Sequence, residues 1–162
     1  IVLGIVLILA SVVSVVGGRF IDRIGKLNFV PPAAAVMFVG LLGMFFVRKV
    51  ASVAVAGTVM MGGYMLVTAA LSATIRDFTP MDRVGQFQGI RMIFAVMLPM
   101  IIGPWIGAAV IKNSGSTYVD LGTVKNVPTP AIFLASAIVL LLIAVPLIAL
   151  KRREKNENTL GR

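Results

Sequence analysis

Five uninterrupted apolar runs, separated by short charged or polar stretches, set the pattern of this chain: residues 1–17, 29–47, 50–75, 92–111 and 131–150. Each is close to the ~20 residues that an α-helix rising 1.5 Å per residue needs to cross ~30 Å of hydrocarbon. Strands of a membrane barrel would alternate apolar and polar positions and turn every few residues, whereas these runs are continuous and helix-length. The pattern predicts an all-α, polytopic transmembrane helical bundle over residues 1–150, with about five membrane-spanning helices, and a charged cytoplasmic tail at 151–162. Pro31 and Pro32 open the second run, which suits a first helical turn, where the absent proline N–H has no intrahelical acceptor to lose. Only Arg48 and Lys49 separate the second run from the third, so those helices are expected to be antiparallel neighbours. Residues 113–130 carry Gly115, Gly122, Pro128 and Pro130 and read as an irregular, exposed loop. The first run begins at Ile1 without a basic leader or a small-residue cleavage site. It reads as a helix entered part-way in a piece of a longer protein rather than as a signal peptide.

Composition agrees. Hydrophobic residues make up 59% and charged residues 13%, against roughly 45–50% and about 25% in soluble domains. The bilayer is the solvent such a chain requires. Histidine and cysteine are both absent, and all six acidic residues lie outside the apolar runs. That leaves no metal-ligand set, no cofactor anchor and no acid–base or nucleophilic pair, so no enzyme activity, cofactor or metal is expected. The net charge of +9 sits between the runs and suits membrane topology and lipid headgroups rather than nucleic acid. One side collects Arg19, Arg23, Lys26, Arg76, Arg83, Arg91, Lys151, Arg152, Arg153 and Lys155, and the other only Arg48, Lys49, Lys112 and Lys125. The positive-inside rule then makes the first side, with the C-terminus, cytoplasmic in a multi-pass protein of the cell membrane.

Inside the runs the polar inventory is short. Tyr64, Thr68 and Ser72 stand at i, i+4 and i+8, on one helix face that could line a cavity together with Trp105. The alternative is that each hydroxyl is satisfied by a carbonyl of its own helix. Gly103 and Gly107 form a small-xxx-small pair suited to close helix approach, or to plain packing, and Pro99 and Pro104 are expected to kink the same helix.

Two charged segments carry a more specific pattern. The first runs Gly18-Arg-Phe-Ile-Asp22-Arg23-Ile-Gly25-Lys26. Gly18 would admit close backbone approach, Gly25 a turn with positive φ, and Asp22 an ion pair with a neighbouring arginine. The second contains Arg76, Asp77, Pro80, Asp82, Arg83, Gly85, Gly89 and Arg91, either an ion-pair network or a solvated loop with a helix start.

The first segment resembles the G-x-L-a-D-R-x-G-R-K signature of major facilitator superfamily transporters, with Phe20 and Ile21 in place of Leu and Ala. The second resembles a P-x-x-R-G-x-x-x-G-like segment of the same family, with Val84 between Arg83 and Gly85. The stretch around Pro104 partly resembles that family's G-P-x-x-G-G antiporter element, but Pro99 stands where a glycine is required, so antiport does not follow. The resemblance implies part of a twelve-helix secondary transporter, with Gly18, Asp22, Arg23, Gly25 and Lys26 as a conformational latch. It places the first signature between the second and third helices of a six-helix half. With the short tail following, the C-terminal half, helices eight to twelve, is the expected position. The expected partners are a small solute such as a sugar or drug-like compound, the lipid bilayer, and an N-terminal half of the same protein. A non-transporting membrane scaffold or subunit is the alternative.

Overall fold

A computed structural model of the chain describes residues 2–112, 117–120, 122–142 and 146–149. Helix α1 covers Val2–Ile24, α2 Lys26–Phe46 and α3 Val50–Asp77. A 3₁₀ turn at Met81–Arg83 leads into α4, Val84–Met92, which continues through a π-helical segment, Ile93–Met97, into α5, Leu98–Ile111. Strands β1, Thr117–Asp120, and β2, Thr123–Asn126, precede α6, Ala131–Leu142, and residues 146–149 are again helical. Among the described residues, five helical stretches are long and apolar enough to cross a membrane.

Several boundaries differ from the sequence expectation, for one reason: hydropathy marks where lipid ends, not where backbone hydrogen bonding ends. Helix α1 runs on past residue 17 through Arg19 and Arg23, because nothing interrupts its i→i−4 ladder until Gly25. There φ is +92°, a backbone conformation that costs glycine little. The Gly25 amide still donates to Ile21 O at 3.1 Å, and the Gly25 carbonyl already accepts from Phe29 N at 3.0 Å. Thus α2 starts at Lys26, and Pro31 and Pro32 lie inside the helix instead of in its first turn. The fourth span similarly starts at Val84 rather than at residue 92.

In that span the π segment ends two residues before Pro99, and the Leu98 amide donates to Ile93 O. This i→i−5 bond re-routes the ladder just where a proline lacks its donor. The segment expected to be irregular contains a two-stranded antiparallel hairpin instead. Asp120 pairs with Thr123, and Gly122 turns with φ +79°, the left-handed backbone that tight hairpins require.

Helix α3 packs on both α1 and α2, and α6 packs on α2 and α5. Between α2 and α3 the backbones nearly touch. A Cβ on Gly40 would collide with the Met60 backbone, and one on Gly63 would lie 2.5 Å from Met37 N. A Cβ on Gly62 would lie 3.0 Å from the Val13 side chain of α1. Lipid tails are as apolar as these side chains, so helix association in a bilayer rests on such close packing rather than on hydrophobic transfer. The buried cluster gathers Ile21, Phe29, Val30, Ala33, Leu66, Val67, Ala70 and Leu147. Leu147 comes from the helical residues 146–149, and in an up-and-down order the other seven lie towards the end of α1, the start of α2 and the end of α3. The core is therefore concentrated at the arginine- and lysine-rich end of the bundle.

Candidate functional site

The Gly25 turn and the end of α3 bring the two charged segments together at this basic end. Lys26 Nζ donates to Asp77 Oδ2 at 2.5 Å, across 51 residues of sequence. The pair joins the first residue of α2 to the last of α3. Its side chains are 31% and 49% exposed, so solvent screening limits its static worth to about 0–1 kcal/mol. A pair of that strength can be made and broken readily, which is what a latch requires. It borders a cavity of about 340 Å³ lined also by Ile21, Thr74 and Phe78.

The other residues of the first signature fall as follows. Arg23 is exposed on the last turn of α1 and has no ion-pair partner among the described residues. The Asp22 backbone belongs to α1, and its side chain lies outside the described part. Gly18 does not mediate close approach, because a Cβ there would meet open space. Its neighbour Gly17 is the glycine pressed against α3, on the side chain of Leu66.

In the second segment, Arg83 Nε lies 3.5 Å from Asp82 Oδ2, with both side chains largely exposed, a geometry of little energetic weight. Arg91 reaches across from α4 and donates to Ser72 Oγ of α3 at 2.8 Å. Of the three-residue polar face on α3, Ser72 alone thus has a partner on another helix among the described residues. Thr68 donates to the carbonyls of Tyr64 and Met65 at 2.9 and 3.0 Å, so its hydroxyl is satisfied by its own helix. Tyr64 is exposed, and Trp105 is 78% exposed on α5. None of Tyr64, Thr68 and Trp105 lines the cavity beside Lys26 and Asp77 or the larger one beside it, among the described residues.

The larger of these, about 900 Å³, opens between the end of α3, the 3₁₀ turn and α4. Ser72, Arg76, Asp77 and Arg91 are among its lining residues, with Thr79 and Gln88. Sequence reasoning did not pick out Thr79 or Gln88, since neither carries charge nor recurs at a motif position. Among the described residues no group of three or more His, Cys, Asp or Glu side chains converges on one point.

The paired segments sit at the same end of an apolar bundle, and a comparison of the whole chain with known families decides what kind of bundle it is. The family model described as Major Facilitator Superfamily matches residues 1–161. The chain belongs to that superfamily. No curated protein and no solved structure gives a significant match. The five apolar helices and the superfamily match together make it a multi-pass membrane protein and a secondary transporter in general terms.

Proposed function

We propose that this superfamily member moves a small polar or amphipathic solute by alternating access, and that its Lys26–Asp77 pair is the latch holding the basic ends of α2 and α3 together in one of the two states. The five spans act as helices eight to twelve, with the other six-helix half supplied by the same protein and the substrate held between the halves. The basic ends and the tail face the cytoplasm of the cell membrane, as the distribution of Lys and Arg favours.

One observation carries the latch: two segments that the sequence keeps 51 residues apart meet in a single exposed ion pair. The pair turns on Gly25, whose positive φ positions Lys26 at the start of α2. A weak, solvent-accessible bond between helix ends adds little to folding and yet biases a two-state equilibrium, since ~1.4 kcal/mol already changes the ratio of states tenfold.

The test is uptake of labelled sugars and amphiphilic cations by the full-length transporter in proteoliposomes. Lys26→Asp and Asp77→Lys should each slow uptake, and the double exchange should restore much of the rate. Uptake indifferent to all three removes the latch, and a well-folded protein that passes no solute removes the transport assignment.

A further inference from the structure

The apolar run of the fourth span opens at residue 92, yet α4 begins at Val84. The stretch Val84–Arg91 therefore projects about 12 Å beyond the hydrocarbon at 1.5 Å per residue. Its bond to Ser72 Oγ sets Arg91 level with Ser72, at the floor of the cleft of about 900 Å³. Arg76 stands one turn further out on α3, and Thr79 lies beyond it. On the facing wall, Val84, Phe87 and Arg91 fall at i, i+3 and i+7 of α4, on one face. Met81, Val84 and Phe87 are exposed apolar side chains on the water side of Arg91, where lipid tails do not cover them.

The charges in the cleft do not balance. Arg91 has a neutral hydroxyl as its described partner, which uses one of the five guanidinium N–H donors. Arg76 has no ion-pair partner among the described residues. Asp77, the one carboxylate lining the cleft among the described residues, is already neutralised by Lys26. Two positive charges remain. Gln88 adds an amide to the α4 wall, whereas the Thr79 hydroxyl already donates to Ile75 O. Small-molecule sites of roughly 300–1,000 Å³ combine apolar walls with a few placed polar groups in this way. An inorganic anion would satisfy the arginines and leave Met81, Val84 and Phe87 in water. A neutral apolar solute would do the reverse. A small organic acid satisfies both.

We propose that the cleft between α3 and α4 binds a small amphipathic organic anion from the water at the basic end, its carboxylate held by Arg91 and Arg76 and its apolar body against Val84 and Phe87. Arginine suits this role because its planar fork can grip both carboxylate oxygens at once. With one arginine on each wall, the bound acid ties α4 to α3 more firmly than the Arg91–Ser72 bond does. The site goes beyond the transport reading, and its test measures binding rather than uptake, so the two can fail separately.

The test is equilibrium dialysis of radiolabelled 2-naphthoate against the full-length protein in phosphatidylcholine nanodiscs, with empty nanodiscs as the blank. Binding above the blank should saturate. 2-Naphthamide, which keeps the body and lacks the charge, and acetate, which keeps the charge and lacks the body, should each compete at least about tenfold more weakly. Arg91→Gln should weaken naphthoate binding about tenfold, as expected for a hydrogen bond to a charged group. Arg76→Gln, at a more exposed position, should weaken it about threefold. Arg48→Gln/Lys49→Gln, at the opposite end of the bundle, should leave it unchanged. Gln88→Glu removes no described contact and adds a carboxylate to the cleft, so it should weaken binding even where an arginine variant fails to fold. No saturable binding overturns the proposal, as does indifference to Gln88→Glu or an equal loss in Arg48→Gln/Lys49→Gln. Naphthamide or acetate competing as well as naphthoate also overturns it, since one wall or the other then plays no part.

Discussion

Two regions of this bundle contain glycines at helix-packing spacings and use them in opposite ways. In the α2–α3 pair, Gly40 and Gly63 lie against the backbones of Met60 and Met37, and the two helices approach as closely as main chain allows. In α5, Gly103 and Gly107 are one turn apart, the arrangement most suggestive of a helix interface, yet a Cβ at either would meet nothing within 4 Å. The first region supplies part of the buried cluster, and the second buries no residue. Small-residue spacing shows that a helix can be approached. Whether it is approached depends on a partner elsewhere in the chain.

Substitutions that fill these glycines separate the two regions most sharply. Gly63→Leu, and Gly40→Leu likewise, should cost at least the upper end of the ~1–3 kcal/mol typical of overpacking, because backbone rather than a mobile side chain is in the way. Thermal unfolding in detergent, or loss of a monodisperse peak, would register it, and an unchanged melting temperature would mean that the crossing is not this close. Next in size is Gly25→Ala. Its φ of +92° puts a Cβ in a disfavoured backbone region, so about 1–3 kcal/mol of strain is expected, with accompanying loss of uptake as Lys26 is displaced from Asp77.

The ion pair itself ranks third. A double-mutant cycle on Lys26→Gln and Asp77→Asn should give a coupling of about 0–1 kcal/mol in stability together with a larger change in transport rate. A coupling well above that range would make the pair a structural staple instead of a latch. Smallest of all, Gly103→Ala and Gly107→Ala should change the stability of this part of the protein by no more than about 0.5 kcal/mol. A large loss would reveal a packing partner on α5 and bring the two regions into line.

The hairpin and the helix ends show where linear reading stops. The run at residues 92–111 marks where the fourth span is apolar, but α4 begins at Val84, because Val84–Arg91 continues the same hydrogen-bond ladder outside the oily stretch. The glycines and prolines between 113 and 130 signal turns correctly, while the pairing of Thr117–Asp120 with Thr123–Asn126 leaves only a faint mark in sequence, since four-residue strands are too short to show a period. Residues 113–116 and the tail at 151–162 lie outside the described residues. At the candidate site, Lys26, Asp77 and Arg91 each stood out as charges beside apolar runs. That Lys26 meets Asp77 and that Arg91 meets Ser72 is a matter of helix rotation, to which charge alone is blind.

The order of spans, their lipid solvent and the segregation of Lys and Arg to one side were determined by the amino-acid sequence alone, because each depends on transfer between water and hydrocarbon, a property of a segment taken by itself. Which glycines lie under another helix, which acid neutralises Lys26, and which arginines share a cleft were decided only by tertiary structure. Those depend on the relative rotation and depth of helices far apart in the chain, where a shift of one residue turns a side chain through about 100° and exchanges a partner for lipid.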